Sequence, residues 1–335
     1  MSDLPLEPDP EISIVICTRN RAPQLAAVLN SLCDLVVPPG LAWELCIVDN
    51  GSTDTTAQVV ESFVPCLPVR YVHEPVAGLS NARNRGVEAA RGRYICWTDD
   101  DVEIDRDWLA AYAAAFRRHP EAAVFGGRIL PRLETPTPPW FAALAHRWPL
   151  TTLLAARDFG NDVSPLSLGG GEVPWGANYA VRTAEQRALR YDPKLGVSPD
   201  QKRLGEEAEV IFQILRGGAT GWWAPDAKVR HIIPLRRQTR AYVYEYFFAS
   251  GETLAYLESV APGANHMRQS PAVPSLLDVG VLRLRSRRAL AMVLYAGCRV
   301  LGANLRSLYY LRQIAFISGA LVEARRAEGG QSLAP

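Results

Sequence analysis

The chain has 335 residues, of which 48% are hydrophobic and 21% charged, and its formal net charge is +1. That length can bury a sizeable core in one large or two modest domains. The near-neutral balance argues against nucleic acid as a partner, and no uncharged run reaches the roughly 18 to 20 residues a membrane-spanning helix needs. Six cysteines (Cys17, Cys33, Cys46, Cys66, Cys96 and Cys298) show neither Cys-x-x-Cys nor Cys/His metal spacing. The opening "MSDLPLEPDPEIS" lacks the basic and then apolar pattern of a secretory signal. Reduced, cytoplasmic residence is therefore expected.

In chain order, "ISIVIC" (residues 12–17) is a continuous apolar run, as in a strand covered on both faces. "APQLAAVLNSLCDLV" has apolar residues at helical spacing, after Asn20 as a cap. "WELCIVD" reads as a strand, "TDTTAQVVESFV" as a helix, "VRYVHE" as a strand, "LSNARNRGVEAARG" as a helix and "YICWTD" as a fourth strand. This alternation predicts a mostly parallel sheet flanked by helices, with ligands beyond the carboxyl ends of its strands.

Those ends are polar: "TRNR", "DNGSTD", "HEPVAG" and the triplet Asp99, Asp100, Asp101. Three adjacent carboxylates repel one another unless a cation or strong donors compensate them. Helix capping by Asp105 or Asp107 before "WLAAYAAAFRRH" accounts for those later aspartates, not for the triplet. A dinucleotide fingerprint and a phosphate loop are both missing, because "TRNRAP" follows the first strand.

Beyond residue 120, "AAVFGGRIL" reads as a strand and "PRLETPTPPWF" as a proline-rich connection. "SPLSLGGGEVPWGANYAVR" is a glycine-rich segment, expected to be a mobile loop over the site, that leads into a strand at Tyr179 to Val181. "LGEEAEVIFQILRGG" reads as a helix, and "GWWAPDAKVRHIIP" as a pair of strands ending in His231. From about residue 238 onward the chain reads as helical.

"ISIVICTRNR", "IVDNGSTD", "GLSNARNRG", "WTDDDV", "WGANYAVR", "LGEEAEV" and "VRHIIP" fall in the order and spacing of inverting, family 2 glycosyltransferases of the GT-A fold. The resemblance covers roughly residues 11 to 235. It implies a GT-A catalytic domain over residues 1–235 and a mostly helical extension over 236–335. It implies transfer of a sugar from a nucleotide diphosphate-sugar donor to a glycan or lipid-linked acceptor, assisted by Mn²⁺ or Mg²⁺.

Residue by residue, the resemblance makes Asp99, Asp101 and His231 metal contacts. Thr18, Arg19, Asp49, Asn50, Arg83, Asp99 and Asp100 fall to the donor, and Trp175, Gly176 and Asn178 to the acceptor. Arg83 also reads as a solvated helix arginine, Trp175 as core, and Ser52 and Asp54 as turn and cap residues. The family's catalytic aspartate is matched by Glu207, with Glu206 as its rival. That departure lengthens the carboxylate arm in a reaction sensitive to errors of about 1 Å. It leaves open a non-catalytic nucleotide-sugar-binding subunit of the same fold. The arginine-rich C-terminal helices have three readings: a packed pair with a solvated basic face, a surface for the inner face of the cell membrane, or a protein-binding surface.

Overall fold

The computed structural model describes residues 10–169, 171–260 and 280–331. Strand and helix alternate first through β1 (Ile12–Thr18), α1 (Ala22–Cys33), β2 (Trp43–Asp49), α2 (Thr56–Phe63), β3 (Val69–His73), α3 (Leu79–Ala89) and β4 (Tyr94–Asp99). Then come β5 (Val102–Ile104), α4 (Trp108–Arg118), β6 (Val124–Leu133) and two single-turn helices, α5 (Pro139–Ala142) and α6 (Leu150–Leu153). β7 (Asn178–Arg182), α7 (Thr183–Ala188), α8 (Glu206–Arg216) and β8 (Gly221–Ile233) follow. The described chain ends in three long helices, α9 (Arg240–Val260), α10 (Val281–Val300) and α11 (Asn304–Gln331).

The eight strands form one sheet in the order β3-β2-β1-β4-β7-β6-β8-β5. β1 pairs in parallel with β2 and β4, and β2 with β3. β7 runs antiparallel to β4 and β6, and β5 antiparallel to β8. The expected parallel half is therefore joined to an antiparallel half. The alternation within β1 serves both faces: Ile12, Ile14 and Ile16 pack with α1 and α4, while Val15 packs with α3 and α8 residues.

Two elements differ from the sequence reading. Residues 221–233 form one strand, not a pair. From Pro225 onward, inward and outward residues alternate strictly, and Pro225 lies beyond the rungs that Trp223 N–H and Gly221 C=O make with Ser164 and Leu166. The short strand β5 was not expected at all. The glycine-rich segment is tied down on both sides of Gly170, by those same rungs and by the buried Val173 and Ala177. The Cys33 and Cys66 thiols lie 2.6 Å apart at the surface, a proximity that sequence spacing gave no hint of.

Packing divides the chain into two units. The first holds the described residues up to Leu130 together with Arg157–Pro193 and Glu206–His231. The second holds Pro131–Ala156, Lys194–Gly205 and the described residues from Ile232 onward. In the second unit Phe141, Leu150 and Leu154 share a core with Val243, Phe247 and Leu308. That is why these early segments group with the C-terminal helices instead of with the sheet.

In the first unit, Glu44 is buried opposite Ser13 in the β1–β2 register. It accepts hydrogen bonds from Ser13 Oγ (2.6 Å), the Arg91 backbone N–H (2.7 Å) and Arg70 Nη2 (3.0 Å). Burial alone would raise its carboxyl, but these donors outweigh burial and hold it below the ordinary range. A depressed folded value means stabilisation that is present above the unfolded pKa of about 4.3 and lost as pH falls through the folded value. Glu44→Gln should cost about 1–3 kcal/mol at neutral pH. In urea unfolding, the gap from wild type should narrow below about pH 4.

In the second unit α9 and α11 touch backbone to backbone. A Cβ at Gly251 would collide with the Phe316 carbonyl, and one at Gly319 with the Phe248 carbonyl. Gly251→Ala and Gly319→Ala should each lose about 1–3 kcal/mol by overpacking. Gly297→Ala, with open space around it, should gain about 0.5–1 kcal/mol from helix propensity. Urea midpoints of the three variants test this ordering.

Candidate active site

The parallel pairing sets Thr18 opposite Asp49, Cys17 opposite Asp99, and Asp49 opposite His73, so three strands end level. Thr18 Oγ1 donates to Asp100 Oδ2 (2.7 Å), and Arg21 Nη1 reaches Asp100 Oδ1 (2.5 Å) and Asp101 Oδ2 (3.1 Å). Burial, then the neighbouring Asp101 charge, outweighs Arg21 and Thr18 and pushes Asp100 up to about 6. Arg21, which the sequence reading passed over, thus supplies part of the compensation that the aspartate triplet requires.

Asp49 accepts from the Ser52 N–H (2.8 Å) and Tyr71 Oη (2.6 Å). Asn50 donates to the carbonyls of Glu74 and Val76 and accepts from the Gly78 N–H. Both side chains are buried and engaged in closing loops. Arg19 is exposed and donates to the Asn50 carbonyl (2.6 Å). Asp54 accepts from the Ala22 N–H at the start of α1 and from the Thr56 N–H at the start of α2, so it caps two helices.

β5 turns the chain back immediately after the triplet and pairs Val102 with His231 of β8. That register brings His231 Nε2 within 3.4 Å of Asp101 Oδ1, although the two lie far apart in sequence. The Asp99 side chain is 36% exposed, against 12% for Asp101. Burial raises the Asp99 carboxyl, Arg83 opposes this, and Asp101 and Glu207 add to it.

Arg83 corrects the reading of a solvated helix residue, because its side chain is only 4% exposed. It donates to Tyr179 Oη (2.7 Å) and forms ion pairs with Glu206 Oε1 (3.3 Å) and Asp99 Oδ1 (3.8 Å). The rings of Trp97, Tyr179 and Tyr191 surround its guanidinium at 5.6–5.8 Å. Glu206 is buried, and burial with the Glu207 charge beside it outweighs Arg83 and raises it to about 8. Glu207 is half-buried, and its Oε1 accepts from the Gly176 N–H at 3.2 Å.

Gly176 has no room for a side chain, since a Cβ would lie 2.9 Å from Arg83 Nη2 and 3.3 Å from Glu207 Oε1. Trp175 packs against the core and carries the Arg157 guanidinium 3.4 Å above its ring centroid, so that face is already covered. Asn178 corrects its expected acceptor role. It is fully buried, its Oδ1 accepts from Trp108 Nε1 and Tyr112 Oη, and its Nδ2 donates to the carbonyls of Arg128 and Ala227. All four of its hydrogen bonds are made within the protein.

Two carboxylates and an imidazole suit a hard or borderline divalent cation such as Mn²⁺. The mutual elevation of Asp99 by its carboxylate neighbours fits a place that favours positive charge. No three such side chains stand in a ligating cluster among the described residues. A cation here would complete its shell from water and donor oxygens.

Arg83→Ala should destabilise the fold by about 3–5 kcal/mol, because it strands Glu206 in the interior. The double variant Arg83→Met/Glu206→Met should recover much of that loss in a urea-unfolding cycle.

Residues 13–162 match the family described as Glycosyl transferase family 2. A succinoglycan biosynthesis protein, ExoM, of Rhizobium meliloti is 27% identical over 300 residues, 85% of this chain and 91% of that protein. A PGL/p-HBAD biosynthesis glycosyltransferase of Mycobacterium tuberculosis is 35% identical over 125 residues, 36% of this chain and 48% of that protein. In fold, the chain resembles a mannosyltransferase of Pyrobaculum calidifontis solved with GDP-Man and Mn²⁺ (TM-score 0.63, 17% identity, 95% of this chain and 88% of that one). It also resembles residues 1–349 of S. aureus TarS (TM-score 0.51, 16% identity, 95% and 92%). The family match across the parallel half of the sheet, the relative matched along most of its length and the shared architecture place the chain in glycosyl transferase family 2, as a glycosyltransferase on a GT-A fold.

Proposed function

We propose that this glycosyltransferase moves a hexose, with inversion, from a nucleotide diphosphate-sugar to a hydroxyl of a growing cell-surface glycan or glycolipid. The observation that carries the reading is the meeting of Asp99, Arg83 and Glu207 in one electrostatically linked group at the strand ends. The succinoglycan role of the Rhizobium relative supports a polysaccharide product, and the GDP-Man and Mn²⁺ of the Pyrobaculum structure support a nucleotide-sugar and a divalent ion.

Glu207 takes the acceptor proton as the acceptor oxygen forms its bond to the anomeric carbon. The bond to the diphosphate breaks on the opposite face, and the leaving nucleoside diphosphate carries away the electron pair. The Gly176 N–H orients the Glu207 carboxylate. Glu206 is the weaker candidate, since Arg83 holds it in the interior. Asp99, Asp101 and His231 would hold a divalent cation, which when bound supplies Lewis-acid stabilisation to the departing diphosphate. Arg19 is exposed beside the β1 and β2 ends and remains available to the nucleotide.

Release of nucleoside diphosphate from a panel of nucleotide-sugars, with and without a membrane lipid extract, tests the proposal. Glu207→Gln should lower turnover about 10²- to 10⁴-fold while leaving donor affinity intact. Glu207→Asp should retain part of it, with a loss nearer 10²-fold set by misplacement of about 1 Å. EDTA should abolish release and Mn²⁺ restore it. A donor that binds tightly but never turns over, with any acceptor or metal, would instead identify a non-catalytic binding subunit.

A further inference from the structure

Residues 280–322 contain seven arginines and no aspartate or glutamate. Within this stretch α10 packs on α11 by one narrow face: Leu284 and Ala291 are buried, and Leu284 joins Ile317 and Leu321. At 3.6 residues per turn, the opposite face carries Leu282, Leu290, Val293 and Val300 and leads into Leu301. These five side chains are 60% to 87% exposed, so large aliphatic groups line the solvent side of a helix already packed on its other side. Arg285 and Arg299 border one edge of the stripe, and Arg283 and Arg287 the other.

No described helix is long and apolar enough to cross a membrane. We propose that α10 is an interfacial membrane helix, its aliphatic stripe set into the surface of an anionic bilayer and its arginines on lipid phosphates. Charge complementarity selects this occupant. A second copy docked on the same face would set arginine edges against arginine edges, whereas an anionic leaflet neutralises both edges at once. Arginine stems reach the headgroup level while the stripe stays in the acyl boundary. At 20 residues, α10 would lie about 30 Å along the surface.

The proposal rests on the surface of α10 and not on the transfer reaction, so each can fail alone. The full-length protein would be floated with phosphatidylcholine vesicles and with phosphatidylcholine–phosphatidylglycerol vesicles. Wild type should float with the anionic vesicles only, and less so at high salt. Leu282→Glu/Val293→Glu, at exposed positions, should keep its melting temperature and bind the anionic vesicles about tenfold less or weaker still. A Val293→Trp variant should show a blue-shifted emission on those vesicles, quenched by brominated acyl chains. Absence of flotation, flotation unaffected by the paired glutamates, or a dimer in light scattering that those glutamates dissociate would overturn the proposal. Vesicle binding without sugar turnover would sustain it while removing the catalytic reading.

Discussion

The burial of one guanidinium organises the catalytic face of this protein. Arg83 sits almost out of solvent, and a charge so placed persists only if its surroundings answer it. The answers come from separate parts of the sheet unit: Tyr179 on β7, Tyr191 beyond α7, Trp97 and Asp99 on β4, and Glu206 at the head of α8. Each is fixed in part by the need to face that arginine. The first turn of α8 is thereby held against the end of β4, and Glu207 is presented beside Gly176.

Most of the polar residues at the strand ends hold the scaffold together. Thr18, Asp100 and Arg21 tie β1 to the aspartate triplet, while Asp49 and Asn50 close the loops after β2. Asn178 joins β7 to β6, β8 and α4 with every hydrogen bond it can make. Such a fully satisfied frame restricts the chemistry to the carboxylates that remain more open, above all Asp99 and Glu207. The short arm of Gly176 then matters as much as any charged group, because a Cβ there would press on Arg83 and Glu207 together.

The alternating half of the sheet was legible because unbroken runs such as "ISIVIC" admit few other placements, and parallel pairing then forces their polar ends together. The fate of each polar side chain was less legible. An arginine at helical spacing looks solvated unless its distant partners are known, and Glu206 is more than a hundred residues away from Arg83. Asn178 reads as a ligand-binding amide until Trp108 and Tyr112 are seen to fill its oxygen. Pro225 suggested a break between two strands, yet the chain passes it without leaving the sheet. His231 was found by family spacing, but only the unexpected strand β5 explains how it reaches Asp101.

The second packing unit is assembled from three stretches of chain, two of them taken from between elements of the sheet unit. Phe141, Leu150 and Leu154 are encoded well upstream of α9 and α11, yet they share a core with them. A gene truncated just after β8 would not release a self-contained catalytic module, since those aliphatic side chains would be left facing water. Recombination that exchanged only the terminal helices would leave the same wound. Any exchange of this unit between homologues must carry the internal segments with it, so its inheritance is tied to that of the sheet into which they are spliced.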